Sequence, residues 1–328
     1  MAKVVSSKIL EYITENNEVS VKQLVQELDI SKQYVHIVLT KLLAEEKVIK
    51  IGKVPKTLYK LNKSIKKNEQ GFTTTSANEK FLNEHFLLIT EIGEMLKGIP
   101  AFVRWCTSRN LPIEKTLQEY ITTKQKYLSY YKGNGLINGL EKLKNTKGYD
   151  AIYLDDIFYM DFYAIERFGK TRLGTLLHYA KQAQNKFLMN ILVLEIKNTL
   201  IHFVTTQKFD AYIIVPPTIK RELQLMKYLE TNLKLPIPKL AVQKISGLIP
   251  VPQKSLNKIE ERINNARHSF TIKEDTKYKK ILIIDDAIGS GATINQIAEK
   301  LRVKKQAKTV VGLAIVGSYK GFDVITDV

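Results

Sequence analysis

Two adjacent carboxylates, Asp285 and Asp286, are followed by a loop of small residues, Gly289-Ser290-Gly291-Ala292-Thr293. This combination suits a sugar phosphate. Glycines let backbone N–H groups close around a phosphate, and the Ser290 and Thr293 hydroxyls add donors. Carboxylates a few residues away reach ribose hydroxyls rather than the phosphate. They accept hydrogen bonds from a vicinal diol, directly or through a metal-bound water. The flanking residues define the elements that must hold these groups. Ile281–Ile284 is an unbroken apolar run, expected as a strand buried on both faces of a parallel sheet and ending at the acid pair. After the loop, Ile294, Ile297, Ala298 and Leu301 recur on one side of a helix, whose N-terminus adds partial positive charge. Strand, acids, glycine loop and helix form the layout of a phosphate site at the carboxyl edge of an α/β sheet.

Other phosphate-site patterns fail on the letters. A Walker A loop needs Gly-Lys-Ser/Thr, and no lysine is present. A dinucleotide fingerprint needs a third glycine or alanine where Ile294 stands. A receiver domain also opens with an acidic pair after a strand, but needs most of a domain downstream, and the sequence runs only to Val328.

The run ILIIDDAIGSGAT resembles the phosphoribosyl pyrophosphate (PRPP) motif of type I phosphoribosyltransferases. The resemblance implies that Asp285 and Asp286 hold the ribose hydroxyls. It implies that Ala287, Ile288, Gly289, Ser290, Gly291, Ala292 and Thr293 form the 5′-phosphate loop. Upstream, Phe209–Pro216 is expected as a second buried strand, followed by Pro217-Thr218-Ile219-Lys220-Arg221. A loop with Lys and Arg at a strand's carboxyl end can hold pyrophosphate. The resemblance makes Pro217, Thr218, Lys220 and Arg221 the pyrophosphate loop, with Lys220 and Arg221 joining the acid pair as catalytic candidates.

Two further segments are similar to ComF-type competence proteins. One is Arg167–Leu173 with the helix that follows to about Gln184. The other is Pro250–Phe270, where Gln253, Leu256, Arg262, Asn265 and Phe270 match. In type I enzymes this second region is the lid over the reaction centre. That makes Gln253, Lys254, Arg262 and Arg267 lid candidates, with Lys244 a further cation beside departing pyrophosphate. Leu240–Ile245 is expected as the strand between. The similarity spans about 167–315. ComF-type proteins usually begin with a cysteine zinc ribbon, and this chain does not.

Residues 1–62 are expected as three helices and a hairpin. Ser20 is a candidate cap for a helix through Leu28, and Ser31 for one running to about Glu46. Val35, Val38, Leu39 and Leu42 face inward on the latter, while Lys32, Gln33, His36 and Thr40 share another stripe. The pattern resembles the winged helix-turn-helix of bacterial regulators. The resemblance implies a recognition helix in a DNA major groove and a basic wing on backbone phosphate. The candidate nucleic-acid contacts are Lys32, Gln33, Tyr34, His36, Lys41, Lys53 and Lys56, for DNA or RNA.

Residues 63–80, rich in Lys, Ser, Thr and Asn, are expected as a linker. Residues 81–150 are expected to be mostly helical, as a scaffold or a hood over the acceptor site. Their aromatics, Trp105, Tyr120, Tyr127, Tyr130 and Tyr131, suit core packing better than base stacking. Asp155-Asp156 is a second acidic pair, but no glycine loop follows it. The fold class is thus α/β. It comprises a parallel-sheet core over 151–328, an amino-terminal winged-helix (α+β) domain and a helical middle segment.

The chain's 328 residues suffice for two or three domains with sizeable cores. Its formal net charge of +18 favours phosphates, free or polymeric. One cysteine, Cys106, excludes a disulfide framework and a cysteine-rich zinc site. No apolar run approaches a membrane span, and the N-terminus has no apolar signal core, so a cytoplasmic protein without a membrane partner is expected. No protein-only metal site is expected; Mg²⁺ would enter with PRPP. A homodimer is the default. The leading expectation is a Mg²⁺-dependent phosphoribosyltransferase tethered to a nucleic-acid-binding domain. Two alternatives stand beside it. One is a transcription regulator of the purine-repressor type that senses PRPP without turnover. The other is a nucleic-acid-triggered effector in DNA uptake or phage defence.

Overall fold

The computed structural model describes residues 2–45, 47–52, 57–62, 72–217, 221–245, 256, 258–272 and 275–318. The chain is a mixed α/β protein that divides into two compact units, Met1–Leu111 and Pro112–Val328. The cut falls inside the segment 81–150.

The first unit opens with α1 (Ala2–Asn16), β1 (Glu18–Val19), α2 (Val21–Leu28), α3 (Lys32–Ala44), β2 (Val48–Ile51) and β3 (Leu58–Leu61). Ser20 and Gln23 form a reciprocal capping box at the start of α2. The Ser20 hydroxyl accepts the Gln23 N–H at 3.2 Å, and the Gln23 side chain accepts the Ser20 N–H at 2.8 Å. Asp29 turns the chain in a left-handed conformation, and Ser31 caps α3 by accepting the Tyr34 N–H. The strands form an antiparallel sheet in the order β1-β3-β2. Ile9, Ile13, Leu24, Val35, Leu39, Leu42 and Tyr59 are all buried in one core. Next come α4 (Ser76–His85), β4 (Leu87–Ile89), β5 (Met95–Lys97) and α5 (Gly98–Thr107). Helix α4 begins inside the expected linker because Thr75 caps it by accepting the Asn78 N–H at 3.2 Å. The β4–β5 hairpin was not expected. Phe86, Phe102 and Trp105 pack together and are buried, so this part of the aromatic run serves a core.

The second unit contains α6 (Ile113–Leu128), β6 (Ile137–Asn138), α7 (Leu140–Lys144), β7 (Asp156–Phe162), α8 (Arg172–Gln182), α9 (Lys186–Thr206), β8 (Ala211–Ile214) and α10 (Leu225–Leu233). It continues with β9 (Val242–Lys244), α11 (Ile259–Ser269), β10 (Phe270–Ile272), β11 (Tyr278–Ile288), α12 (Ala292–Val303) and β12 (Ala307–Gly317). Its main sheet has the order β6-β7-β12-β11-β8. The last four are mutually parallel, and β6 is antiparallel to β7. Ile281, Leu282, Ile283 and Ile284 are buried between β8 and β12, as the apolar run predicts. Helix α8 packs on β7 and β12, and α12 on β12.

Three expectations are corrected. First, β11 does not end at the acid pair. It runs on to Ile288 because β12 continues beside it, pairing Ile288 with Gly317, whereas pairing with β8 stops at Ile284 and Ile214. Second, the strand expected over Leu240–Ile245 forms outside the main sheet. β9 pairs antiparallel with β10, Lys244 opposite Phe270. Third, α9 is long and apolar enough to cross a membrane by length and composition. Its buried residues include Leu192, Ile196, Leu200 and Phe203, the last edge-on to Phe158 of β7, and the helix packs against α8 and α10.

Candidate functional site at the carboxyl end of β11

The acid pair lies just beyond the last residue that β8 shares with β11, so among the described residues β11 has a strand neighbour on one side only there. Successive strand side chains alternate between faces. Asp286 turns toward α8, where the Lys181 ammonium forms an ion pair with Oδ2. Asp285 projects to the other face, and its Oδ1 accepts the Asp286 N–H at 2.8 Å. Burial, then the neighbouring Asp286 charge, push the Asp285 carboxyl up to about 7; the Lys181 charge opposes the rise.

The small-residue loop is built from beneath by the segment that contains α7. Gly291 has φ +81° and caps α12 without a side chain. A Cβ there would fall 2.8 Å from Leu143 Cδ1, the movable end of a side chain, so the left-handed conformation is the stronger reason for glycine. The Tyr149 hydroxyl donates to the Ser290 carbonyl at 2.8 Å. Asn295 fastens α12 to the same segment, accepting the Tyr153 N–H at 2.8 Å and donating to the Ala151 carbonyl at 3.0 Å. The Ala292 N–H reaches the Ser290 hydroxyl at 3.4 Å. Nearby, the Ser318 N–H donates to the Ile288 carbonyl at 3.2 Å, and Lys142 donates to the Ser318 carbonyl at 2.8 Å and to its hydroxyl. Burial lowers the Lys142 ammonium to about 8. A first-turn helix N-terminus without a side-chain cap leaves backbone donors for an anion. The loop thus follows the carboxylates directly at the end of β11 and is held by hydrogen bonds from Tyr149 and Asn295 that the sequence did not announce.

The remaining candidates are distributed differently. The Arg221 guanidinium donates to the Lys181 carbonyl and, at 2.9 Å, to the Gln182 side chain. It fastens the loop after β8 to the end of α8. Arg262 is buried and donates through Nε to the Leu256 carbonyl at 2.7 Å. Arg267 pairs with Asp150 at 3.3 Å. Burial lowers the Lys244 ammonium. Thr218, Lys220, Gln253 and Lys254 lie outside the described residues, as do Lys53 and Lys56; Pro217 lies next to the end of β8. The sequence reading missed Lys181. Its only signal was membership in the Arg167–Gln184 segment, and nothing in the order of residues places it beside Asp286.

In the first unit, Lys32, Gln33, His36, Thr40 and Lys41 form an exposed stripe on α3, while Tyr34 is partly buried against the core. Lys41 lies 3.8 Å from Glu45, which also pairs with Lys47 at 2.8 Å.

No protein-family model matches this chain, and no curated protein matches it.

Proposed function

We propose that the second unit is a type I phosphoribosyltransferase core that binds PRPP with Mg²⁺, and that the first is a winged helix-turn-helix that binds DNA. The observation that carries the reading is the meeting of two carboxylates on β11 with a glycine loop at an uncapped helix N-terminus, beside a strand that has already ended. In this reading the 5′-phosphate sits on the Gly289–Thr293 backbone and the Ser290 and Thr293 hydroxyls. The ribose diol bonds to Asp285 and exchanges with Lys181 at Asp286. Carboxylates are hard oxygen donors and suit Mg²⁺, which supplies charge neutralisation at the departing pyrophosphate. The transition state resembles an oxocarbenium ion, so positioning and electrostatics carry the step and no covalent catalyst is required. Transfer breaks the bond between ribose C1 and the pyrophosphate oxygen, and a base or amine nitrogen forms the new bond to C1.

One observation favours a second reading, a PRPP sensor without turnover. Arg221 and Arg262 already bond to carbonyl groups of the protein rather than lying open to a leaving group. Calorimetric titration of PRPP with Mg²⁺ into the wild type and the Asp285→Asn/Asp286→Asn variant separates these readings when pyrophosphate release is assayed in the same samples. Binding with release is the expected outcome. Binding without release makes the protein a sensor. No binding to the wild type removes the site assignment.

A further inference from the structure

Helix α3 spends its whole inward stripe on the core: Val35, Val38, Leu39 and Leu42 are buried. Ile37 is not among them. It is 65% exposed, and it sits in the middle of the polar stripe. Gln33 lies four residues before it, Thr40 three after and Lys41 four after, all exposed. Residues at these spacings are surface neighbours on a helix. The helix carries Lys32 and Lys41 and no acidic residue within its span, and Lys41 lies 3.8 Å from Glu45 at its C-cap, so the face around Ile37 is polar with a positive balance from Lys32. A β-branched residue is also a poor choice for an exposed helical position on propensity alone. Among the described residues, Ile37 takes no part in the core of the first unit.

The size of the apolar feature identifies what it fits. A protein interface buries a patch of several apolar side chains with a polar rim; Ile37 has Gln33, Thr40 and Lys41 beside it and one half-buried aromatic, Tyr34, three residues before it, which is a smaller apolar feature than such a patch. The DNA major groove offers the matching target, since the thymine C5-methyl is one apolar carbon set among hydrogen-bond donors and acceptors, beside phosphates that attract lysine. We propose that Ile37 reads a thymine methyl in double-stranded DNA, which makes it a specificity-determining residue of the surface. The inference rests on the DNA-binding reading of the first unit and goes beyond it by naming the base and the atom.

The test uses the full chain. A duplex is selected from a randomised pool, and each thymine in it is then replaced singly by deoxyuridine, which removes only the methyl. Affinities are measured for wild type and Ile37→Ala at fixed salt. At one position, uracil should weaken wild-type binding about fourfold, the factor expected for one buried methyl group. Ile37→Ala should bind the thymine and uracil duplexes equally. Thermal melting of the variant should match wild type, because Ile37 lies outside the core. The proposal is overturned if no thymine matters, if the uracil penalty survives in Ile37→Ala, or if RNA is bound in preference to DNA. It also falls if Ile37→Ala instead dissociates a dimer and leaves the thymine dependence intact. Tight binding that ignores the methyl sinks this inference and spares the DNA-binding reading. Failure to bind any duplex sinks both.

Discussion

Lys181 and Asp286 are 105 residues apart in sequence and form an ion pair at the open side of β11. The same lysine gives its backbone carbonyl to Arg221. One residue of α8 thus joins the acid pair to the loop after β8. Lys181 also restrains the Asp285 carboxyl, whose value would otherwise climb further. Replacing it by Met should shift Asp285 toward its protonated form at neutral pH. Affinity for PRPP with Mg²⁺ should then fall by about tenfold at neutral pH, the factor carried by one unit of pKa, and recover in alkaline buffer. Lys181→Arg should keep the wild-type profile. Calorimetry across a pH series decides; an affinity loss independent of pH would show that Lys181 acts only by contacting the ligand.

Asp285 should make stability depend on pH in an unusual direction for a carboxylate. Its folded value, about 7, lies above the ordinary 3.8, so the folded state holds the proton more tightly. The contribution is fully present below about pH 4 and is lost as pH rises through about 7. Asp285→Asn removes the titration and keeps a neutral side chain. At about pH 8 the variant should be more stable than wild type and melt at a higher temperature. At about pH 4 the two should melt together. Melting curves that differ equally at both values would contradict the burial argument.

Gly291→Ala should destabilise the second unit by about 1–3 kcal/mol, because a non-glycine residue is strained at this φ and its Cβ meets Leu143. Adding Leu143→Ala opens the space but leaves the strained backbone. The double variant should therefore recover part of the loss toward the Leu143→Ala single variant, and not all of it. Chemical denaturation of the four proteins gives the cycle. Full recovery would mean that crowding, not conformation, fixes the glycine.

Lys124, Asp161 and Tyr131 form a buried cluster between α6 and β7. Lys124 Nζ lies 3.4 Å from Asp161 Oδ1, the Tyr131 hydroxyl donates to the same oxygen at 2.8 Å, and both charged side chains are nearly inaccessible. Burial, with Asp161 beside it, pushes the Tyr131 phenol well above its ordinary value. Lys124→Met leaves a buried carboxylate without its cation and should cost about 3–5 kcal/mol. Lys124→Met/Asp161→Asn should regain most of that, since an amide keeps the Tyr131 bond without the charge. If the double variant is no more stable than the single, the cation is not what balances Asp161.

What could be read in the sequence was local. Ser20 and Ser31 announce their helices because a cap needs only the next three residues. Ile281–Ile284 announces a buried strand because burial on both faces removes polar residues from the run. Gly291 follows from a left-handed backbone conformation that favours glycine. The rest depends on partners far along the chain. β11 extends past its acids only because β12 runs beside it. The chain bridges to β8 at Lys239 and Leu240, and β9 then pairs with β10, which lies 26 residues or more further along. The Lys181–Asp286 pair, the Tyr149 prop under Ser290 and the diversion of Arg221 to α8 are tertiary contacts with no periodicity or motif to betray them.

β12 lies between β7 and β11 and follows both in the sequence. During synthesis the ribosome therefore releases the two outer pieces of the sheet before the strand that joins them. Until residues 307–317 emerge, β7 and β11 each expose an unpaired edge, and the glycine loop stands on half a sheet. A chain interrupted before that point lacks the strand that joins β7 to β11. Its unpaired strand edges would be open to pairing with other chains, so in this topology the last strand to be made is the one that closes the sheet.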